Sequence, residues 1–153
     1  MTARWSIPIQ TLAEKVKLDI ETVARKATFD LFTAVAQKSP VDTGRFRANW
    51  NVSFGAADVS ITDSTNTERA LAEASKALTL PLGGVTYMSN GLPYARTLEY
   101  GLYPNPPKRG SYDKKLKAYV IKSAGGFSRR AASGMVRISA QEFGDYVNKA
   151  ISS

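Results

Sequence analysis

A run of about thirty residues near the start of the chain has the spacing of one long α-helix. Apolar residues recur at steps of three and four between Ile9 and Gln37: Leu12, Val16, Ile20, Val23, Ala27, Leu31 and Ala34. At 1.5 Å per residue, such a helix is roughly 40 Å long. We expect part of it to project or to pack on another chain, because most globular helices are shorter. Pro40 ends the helix, since a residue before proline is disfavoured in the helical region.

The rest of the chain mixes strand and helix patterns, which indicates an α+β domain. A half-buried strand with one polar face is predicted by the alternation of Ala48, Trp50, Val52 and Phe54 with Arg47, Asn49, Asn51 and Ser53. A short continuation is suggested by Val59 and Ile61. The later elements are a middle helix from Thr67, a strand over Val85 and Tyr87, helical turns from Tyr94 to Tyr100, and a C-terminal helix from Val136 to Ile151. We therefore expect a single domain over residues 1–153, with a small mixed or antiparallel sheet flanked by the long N-terminal helix, the middle helix and the C-terminal helix.

The composition argues against an enzyme. The chain has no cysteine and no histidine, which removes thiol nucleophiles, disulfides and the commonest general base and metal ligand. The acids nearest to conspicuous motifs are Asp42, Glu99 and Asp113, and no spacing brings two of them together as a catalytic pair. A turn explains Asp42 and an ion pair explains Glu99. We expect no catalytic residue, no metal site and no cofactor. No membrane partner is expected either, because no apolar run is long enough to span a bilayer.

The positive charge of the chain is confined to one segment. Nine bases and one acid, Asp113, lie between Leu102 and Arg137, so this segment carries the whole net charge of +8. Such a cluster favours binding to a polyanion or to an acidic protein face. The candidate contacts are Lys108, Arg109, Lys114, Lys115, Lys117, Lys122, Arg129 and Arg130. Prolines and glycines punctuate residues 103–133, which predicts a long basic loop or insertion, and Lys114 to Lys122 fits either a strand or a short helix.

Two short blocks, about fifty residues apart, are the most distinctive local signatures. The first runs from Ser39 to Trp50 and contains the turn residues Asp42-Thr43-Gly44, followed by Arg45 and Arg47. The second, from Asn90 to Gly101, contains Leu-Pro-Tyr-Ala and Leu-Glu-Tyr-Gly. Two roles are open for Arg45: it braces Asp42 or a helix C-terminus, or it forms an intersubunit salt bridge, for which Glu99 is a candidate acceptor.

These blocks, followed by Gly134-Met135-Val136-Arg137 before the last helix, resemble the tail-completion or head–tail joining proteins of long-tailed bacteriophages. Their order covers most of the chain. The basic stretch is a departure, because many relatives would have a shorter link there. The resemblance implies a small α/β subunit, repeated in a hexameric or other cyclic ring, that caps the tail tube, joins it to the head connector and lets DNA pass.

The resemblance also implies partners and a location. A homo-oligomeric ring would meet the tail tube protein and the neck or connector proteins, with genomic DNA as a sequence-independent partner in the channel. The candidate interface residues are Asp42, Thr43, Gly44, Arg45, Arg47, Tyr94, Leu98, Glu99 and Tyr100. We expect the protein in the tail or neck of the virion, assembled in the host cytoplasm. The alternative is a free nucleic-acid-binding protein that uses the basic segment over 103–137.

Overall fold

A long helix, α1, dominates the computed structural model, which describes residues 9–79, 81 and 83–153, apart from the side chains of Ile9 and Leu12. It spans Ile9–Lys38, one residue longer than predicted. Its C-terminal half is packed into the domain, with Ala27, Val35 and Ala36 buried. The described side chains over 10–20 are exposed.

Twelve shorter pieces of secondary structure follow in the described part of the chain, and they confirm the predicted α+β class. The helices are α2 (Arg45–Ala48), α3 (Glu68–Ser75, continued by a 3₁₀ turn over Lys76–Leu78), α4 (Ala95–Tyr100), α5 (Val136–Gln141) and α6 (Phe143–Ser152). The strands are β1 (Trp50–Phe54), β2 (Thr86–Asn90), β3 (Ser111–Asp113), β4 (Ala118–Val120), β5 (Ser123–Ala124) and β6 (Phe127–Ser128). They pair in sequence order as three antiparallel two-stranded sheets.

The main sheet consists of β1 and β2, which pair Val52 with Met88 and Trp50 with Asn90. Two hydrophobic clusters pack on it. One surrounds Trp50 with residues of α1, α2, α3 and α4, and the other surrounds Val52 with residues of α1, α3 and the 3₁₀ turn. Met88 packs against both clusters, so β2 joins the two halves of the core.

The polar face predicted for β1 is present, but it is buried and does not face solvent. Asn49 and Asn51 are 0% and 2% exposed, because the segment 56–63 lies across them. The Asn49 amide donates to Thr62 O and accepts from Thr62 N, and the Asn51 amide donates to Asp58 O and Ser60 O. The expected strand continuation at Val59 and Ile61 is therefore absent, and these residues belong to an irregular covering segment.

Two helix boundaries also differ from the sequence prediction. Arg47 and Ala48 lie in α2 rather than in the strand, since the N–H of Ala48 donates to Gly44 O and closes a helical turn. The C-terminal helix is divided at Glu142, which has φ −81° and ψ −2° and separates α5 from α6. Gly144, two residues later, lowers the helix propensity of this junction.

The basic segment is more ordered than a loop. Lys114 to Lys122, which fitted either a strand or a helix, contains β4 and the turn that joins it to β3. A second, shorter hairpin of β5 and β6 follows, and Tyr103 N donates to Gly126 O at its turn. The segment thus contains two consecutive hairpins, over residues 111–120 and 123–128.

Candidate assembly interface

Glu99 connects the second sequence block to the third. Its Oε2 accepts hydrogen bonds from the N–H groups of Met135 and Val136, at 2.8 and 2.9 Å. Its Oε1 accepts from the N–H and the Nε of Arg137, at 2.9 and 3.3 Å. In return, Arg137 Nη2 donates to Glu99 O at 2.9 Å. The carboxylate thus satisfies the free amides at the start of α5 and fixes α4 to the C-terminal helices.

The surroundings of Glu99 favour its charged form. Burial raises the pKa of the carboxyl group, but the hydrogen bonds from residues 135–137 together outweigh it, so the pKa lies below its usual value. Gly134 allows the close approach: its φ is +84°, and a Cβ there would lie 2.5 Å from Glu99 O. The guanidinium of Arg137 also lies 5.0 Å from the ring centre of Tyr100, within the range of a cation–π contact.

The turn of the first block contacts the basic segment. Lys122 Nζ lies 3.0 and 3.1 Å from the two carboxylate oxygens of Asp42. Thr43 Oγ1 accepts a hydrogen bond from Arg45 N. Gly44 has a φ of +94°, and a Cβ would lie 2.3 Å from Thr65 O, so the turn requires glycine. Asp42 and Thr43 remain exposed.

The two arginines of the first block have separate partners within the chain. Arg47 Nη2 donates to Gln37 O and Ser39 O, at 2.9 and 2.8 Å, and so caps the C-terminus of α1. Arg45 Nη2 lies 2.8 Å from Asp63 Oδ1, and the Glu99 carboxylate is taken up by residues 135–137. Bracing of a helix C-terminus, which the sequence suggested for Arg45, is performed by Arg47.

The aromatic and apolar candidates of the second block fall into two groups. Leu98 is buried in the main cluster, whereas Tyr94 and Tyr100 are exposed. The ring of Tyr94 packs on Phe46 with a centroid distance of 5.9 Å. Of the candidate interface residues, the exposed ones are therefore Asp42, Thr43, Tyr94 and Tyr100.

Most of the positive charge in the basic segment has no partner within the chain. Lys122 and Arg137 form ion pairs, with Asp42 and Glu99. The other seven bases form none with the described residues: Lys108, Arg109, Lys114, Lys115, Lys117, Arg129 and Arg130. The Asp113 carboxylate accepts hydrogen bonds from Lys115 N and Leu116 N, which lower its pKa and shape the β3–β4 turn. This surface is suited to an anionic partner.

The β3–β4 hairpin, residues 111–120, is the most exposed part of this surface, and we call it the arm. The rings of Tyr112 and Tyr119 meet edge to face at 5.4 Å, yet both remain more than half exposed, as does Leu116 in the turn. At the base of the segment, Phe127 lies against Gly101, where a Cβ would be 2.4 Å from its ring. The base is thus packed on α4 while the arm is exposed.

Sequence reasoning missed the role of Arg69 and Glu73 in α3. Arg69 Nη1 donates to Ala48 O and Trp50 O, at 2.6 and 3.1 Å. Glu73 Oε2 accepts from Val52 N at 2.9 Å. These side chains therefore cover the edge of β1 that faces away from β2. No sequence signal distinguishes them from ordinary surface charges of an amphipathic helix.

No group of three or more metal-binding side chains occurs among residues 9–79, 81 and 83–153. In the same part of the chain, no helix is long and apolar enough to cross a membrane.

Comparison with known proteins agrees with the sequence blocks. A family model described as "Bacteriophage HK97-gp10, putative tail-component" matches residues 8–101, which is more than half of the chain. The match includes the first two blocks and ends where the basic segment begins. Searches of curated proteins and of solved structures found no match. The resemblance to phage tail proteins is confirmed: the chain belongs to the HK97-gp10-like family of bacteriophage tail components.

Proposed function

We propose that this tail component is a non-enzymatic tail-completion or tail-terminator subunit. It forms a ring, a hexamer, at the head-proximal end of the tail tube. The ring joins the tube to the neck or connector proteins and lets the genome pass. The observation that carries this proposal is the family match over residues 8–101, which contains both sequence blocks.

Ring formation needs two different surfaces on each subunit. A head-to-tail contact that repeats around an axis closes into a ring. Candidate contacts are the exposed residues near the two blocks, Asp42, Tyr94 and Tyr100, together with the exposed first turns of α1. Arg45 and Arg47 are half-buried next to these residues, and they bind Asp63 and the C-terminal end of α1.

The basic segment supplies the contact with an anionic partner. Seven cations without an ion pair in the described chain would bind phosphates regardless of base sequence. In a ring around a channel, these contacts would be weak and numerous, which suits DNA that has to move. We assign this role to the arm lysines and to Lys108, Arg109, Arg129 and Arg130.

The proposal is tested in the phage that encodes the protein. Without the gene, we expect filled heads and separate tails in electron micrographs, and joined particles again when the wild-type gene is supplied. A peptide tag on the protein should bind gold at the head-proximal end of the tail. Gold at the distal tip, or normally joined particles without the gene, would contradict the proposal.

The alternative is a free nucleic-acid-binding protein, which the unpaired cations also favour. In that case the purified protein is a monomer, and its affinity for DNA falls steeply as salt is added. The triple change Lys114→Glu, Lys115→Glu and Lys117→Glu should then abolish binding. A ring with little affinity for free DNA favours the tail-completion role.

A further inference from the structure

The two edges of the main sheet differ in their hydrogen bonding. The outer edge of β1 is covered, because Arg69 binds Trp50 O and Glu73 binds Val52 N. A strand from another molecule cannot pair there without displacing both side chains. Extension of the sheet is therefore restricted to β2.

The outer edge of β2 is open in the part of the chain that the structure describes. Gly55 N donates to Val85 O at 2.8 Å, which sets the alternation of the ladder: the backbone groups of Val85, Tyr87 and Ser89 face β1. Those of Thr86 and Met88 face away from it. Within the described chain, no hydrogen bond outside the β1–β2 pair reaches the backbone N–H or C=O of these two residues. An unpaired edge of this kind is a template for an added strand.

Exposed apolar side chains, which we call the rim, lie in the segment that crosses the face of β2 and at the residue before the strand. The covering segment 56–63 runs next to β2, since Ser89 Oγ donates to Asp58 O and a Cβ on Gly91 would lie 2.1 Å from Val59 O. Val59, Ile61 and Val85 are each at least half exposed.

The arm has the complementary properties. It is an exposed two-stranded ribbon, so its backbone is already extended. Its exposed Tyr112, Leu116 and Tyr119 match the apolar rim. Each copy thus carries one open edge and one arm, and the two surfaces are complementary to each other.

We propose that the arm of one copy adds to the β2 edge of the next copy, so that the main sheet continues from subunit to subunit. The inference rests on the proposed ring and specifies its contact. Main-chain hydrogen bonds to Thr86 and Met88 provide the register, and the tyrosines cover the rim at Val59, Ile61 and Val85.

The first test variant blocks the edge. Thr86→Pro removes an outward N–H at the first residue of β2, where proline is compatible with an edge strand. The matched control, Thr86→Val, keeps the N–H and the shape of the side chain. Sedimentation over a wide concentration range should show the proline variant as a 16.6 kDa monomer. The valine variant should assemble as the wild type does, and circular dichroism checks that both are folded.

The second variant alters the arm. Changing both Tyr112→Ser and Tyr119→Ser removes the rings that cover the rim, while the paired control, Tyr112→Phe with Tyr119→Phe, retains them. We expect the serine variant to be monomeric and the phenylalanine variant to assemble. The arm is exposed, so neither change disturbs the core.

A mixture of the two assembly-defective variants tests whether the arm of one copy contacts the β2 edge of another. The proline variant still has an intact arm, and the serine variant still has an open edge, so together they can form one junction and no more. We expect a complex of two chains, twice 16.6 kDa or about 33 kDa, in the mixture alone.

Three results would overturn the inference: a wild type that is monomeric at every concentration, a proline variant that assembles like the valine control, or a mixture that stays monomeric. A ring that survives both changes would remove this contact and leave the proposed function standing, whereas failure in the phage experiment would affect the proposed function alone.

Discussion

At the scale of single residues, Glu99 shows how a sequence motif can be structural. It is 8% exposed, and its carboxylate accepts four hydrogen bonds from residues 135–137. The Leu-Glu-Tyr-Gly motif is therefore explained by the attachment of α4 to α5. The residue of this motif that is exposed, and so able to contact another subunit, is its neighbour Tyr100.

Removal of the charge at Glu99 should destabilise the fold. Glu99→Gln keeps the shape but weakens charge-assisted hydrogen bonds, so we expect a loss of about 2 kcal/mol in the free energy of unfolding at neutral pH. Urea denaturation measures it. The exposed Glu68→Gln in α3 is the control and should change stability by less than about 0.5 kcal/mol. Equal effects would show that the Glu99 contacts contribute little.

The same carboxyl group predicts a pH dependence. Its pKa is lowered in the folded state, so its contribution is fully present above the unfolded value of about 4.3 and is lost as the pH falls through the folded pKa. Wild-type stability should therefore fall more steeply below about pH 4 than that of Glu99→Gln. Parallel curves for the two proteins would contradict this.

Alanine substitutions at Gly134 and Gly144 should have opposite effects on stability. Gly134→Ala places a methyl group 2.5 Å from Glu99 O at a φ of +84°, and we expect a loss of about 2–3 kcal/mol in the free energy of unfolding. Gly144→Ala meets no neighbour and lies in α6, so it should stabilise the protein by about 0.5–1 kcal/mol. Thermal melts compare them, and a similar melting temperature for both would argue against the strain at Gly134.

At the scale of elements, helical periodicity predicted α1 almost to the residue, because its pattern is long and local. The faces of β1 could not be predicted in the same way. Asn49 and Asn51 look like solvent-facing residues, but segment 56–63 covers them and satisfies their amides. Nothing in the local pattern of β1 predicts this cover. The arm could not be predicted from local pattern either. Its sequence around Asp113 and the turn is compatible with more than one structure, and only the observed pairing of Tyr112 with Tyr119 identifies a hairpin.

The contacts between the Arg69 side chain and the edge of β1 give a prediction for α3. Arg69→Ala leaves Ala48 O and Trp50 O without their donors, and we expect a loss of about 2–3 kcal/mol in the free energy of unfolding. Arg96→Ala, an exposed arginine in α4, is the control and should have little effect. Chemical denaturation of the two variants would test whether the Arg69 contacts stabilise the fold. Equal free energies of unfolding for both variants would contradict this.

At the scale of the whole molecule, the chain divides into a family region and a basic region. The first, residues 8–101, identifies a phage tail component. The second carries the net charge of +8 and provides seven bases without ion pairs in the described chain. Sequence alone located both regions, because blocks and charge are local properties. The open edge of β2 depends on contacts between distant residues and required the structure.

The central claim is that this tail component assembles into a ring. The most direct measurement is the absolute mass of the purified protein by light scattering, with negative-stain images of the same fraction. We expect annular particles of six times 16.6 kDa, or about 100 kDa. A strict monomer of 16.6 kDa at every concentration, with salt-dependent affinity for DNA, would contradict the ring and favour the nucleic-acid-binding alternative.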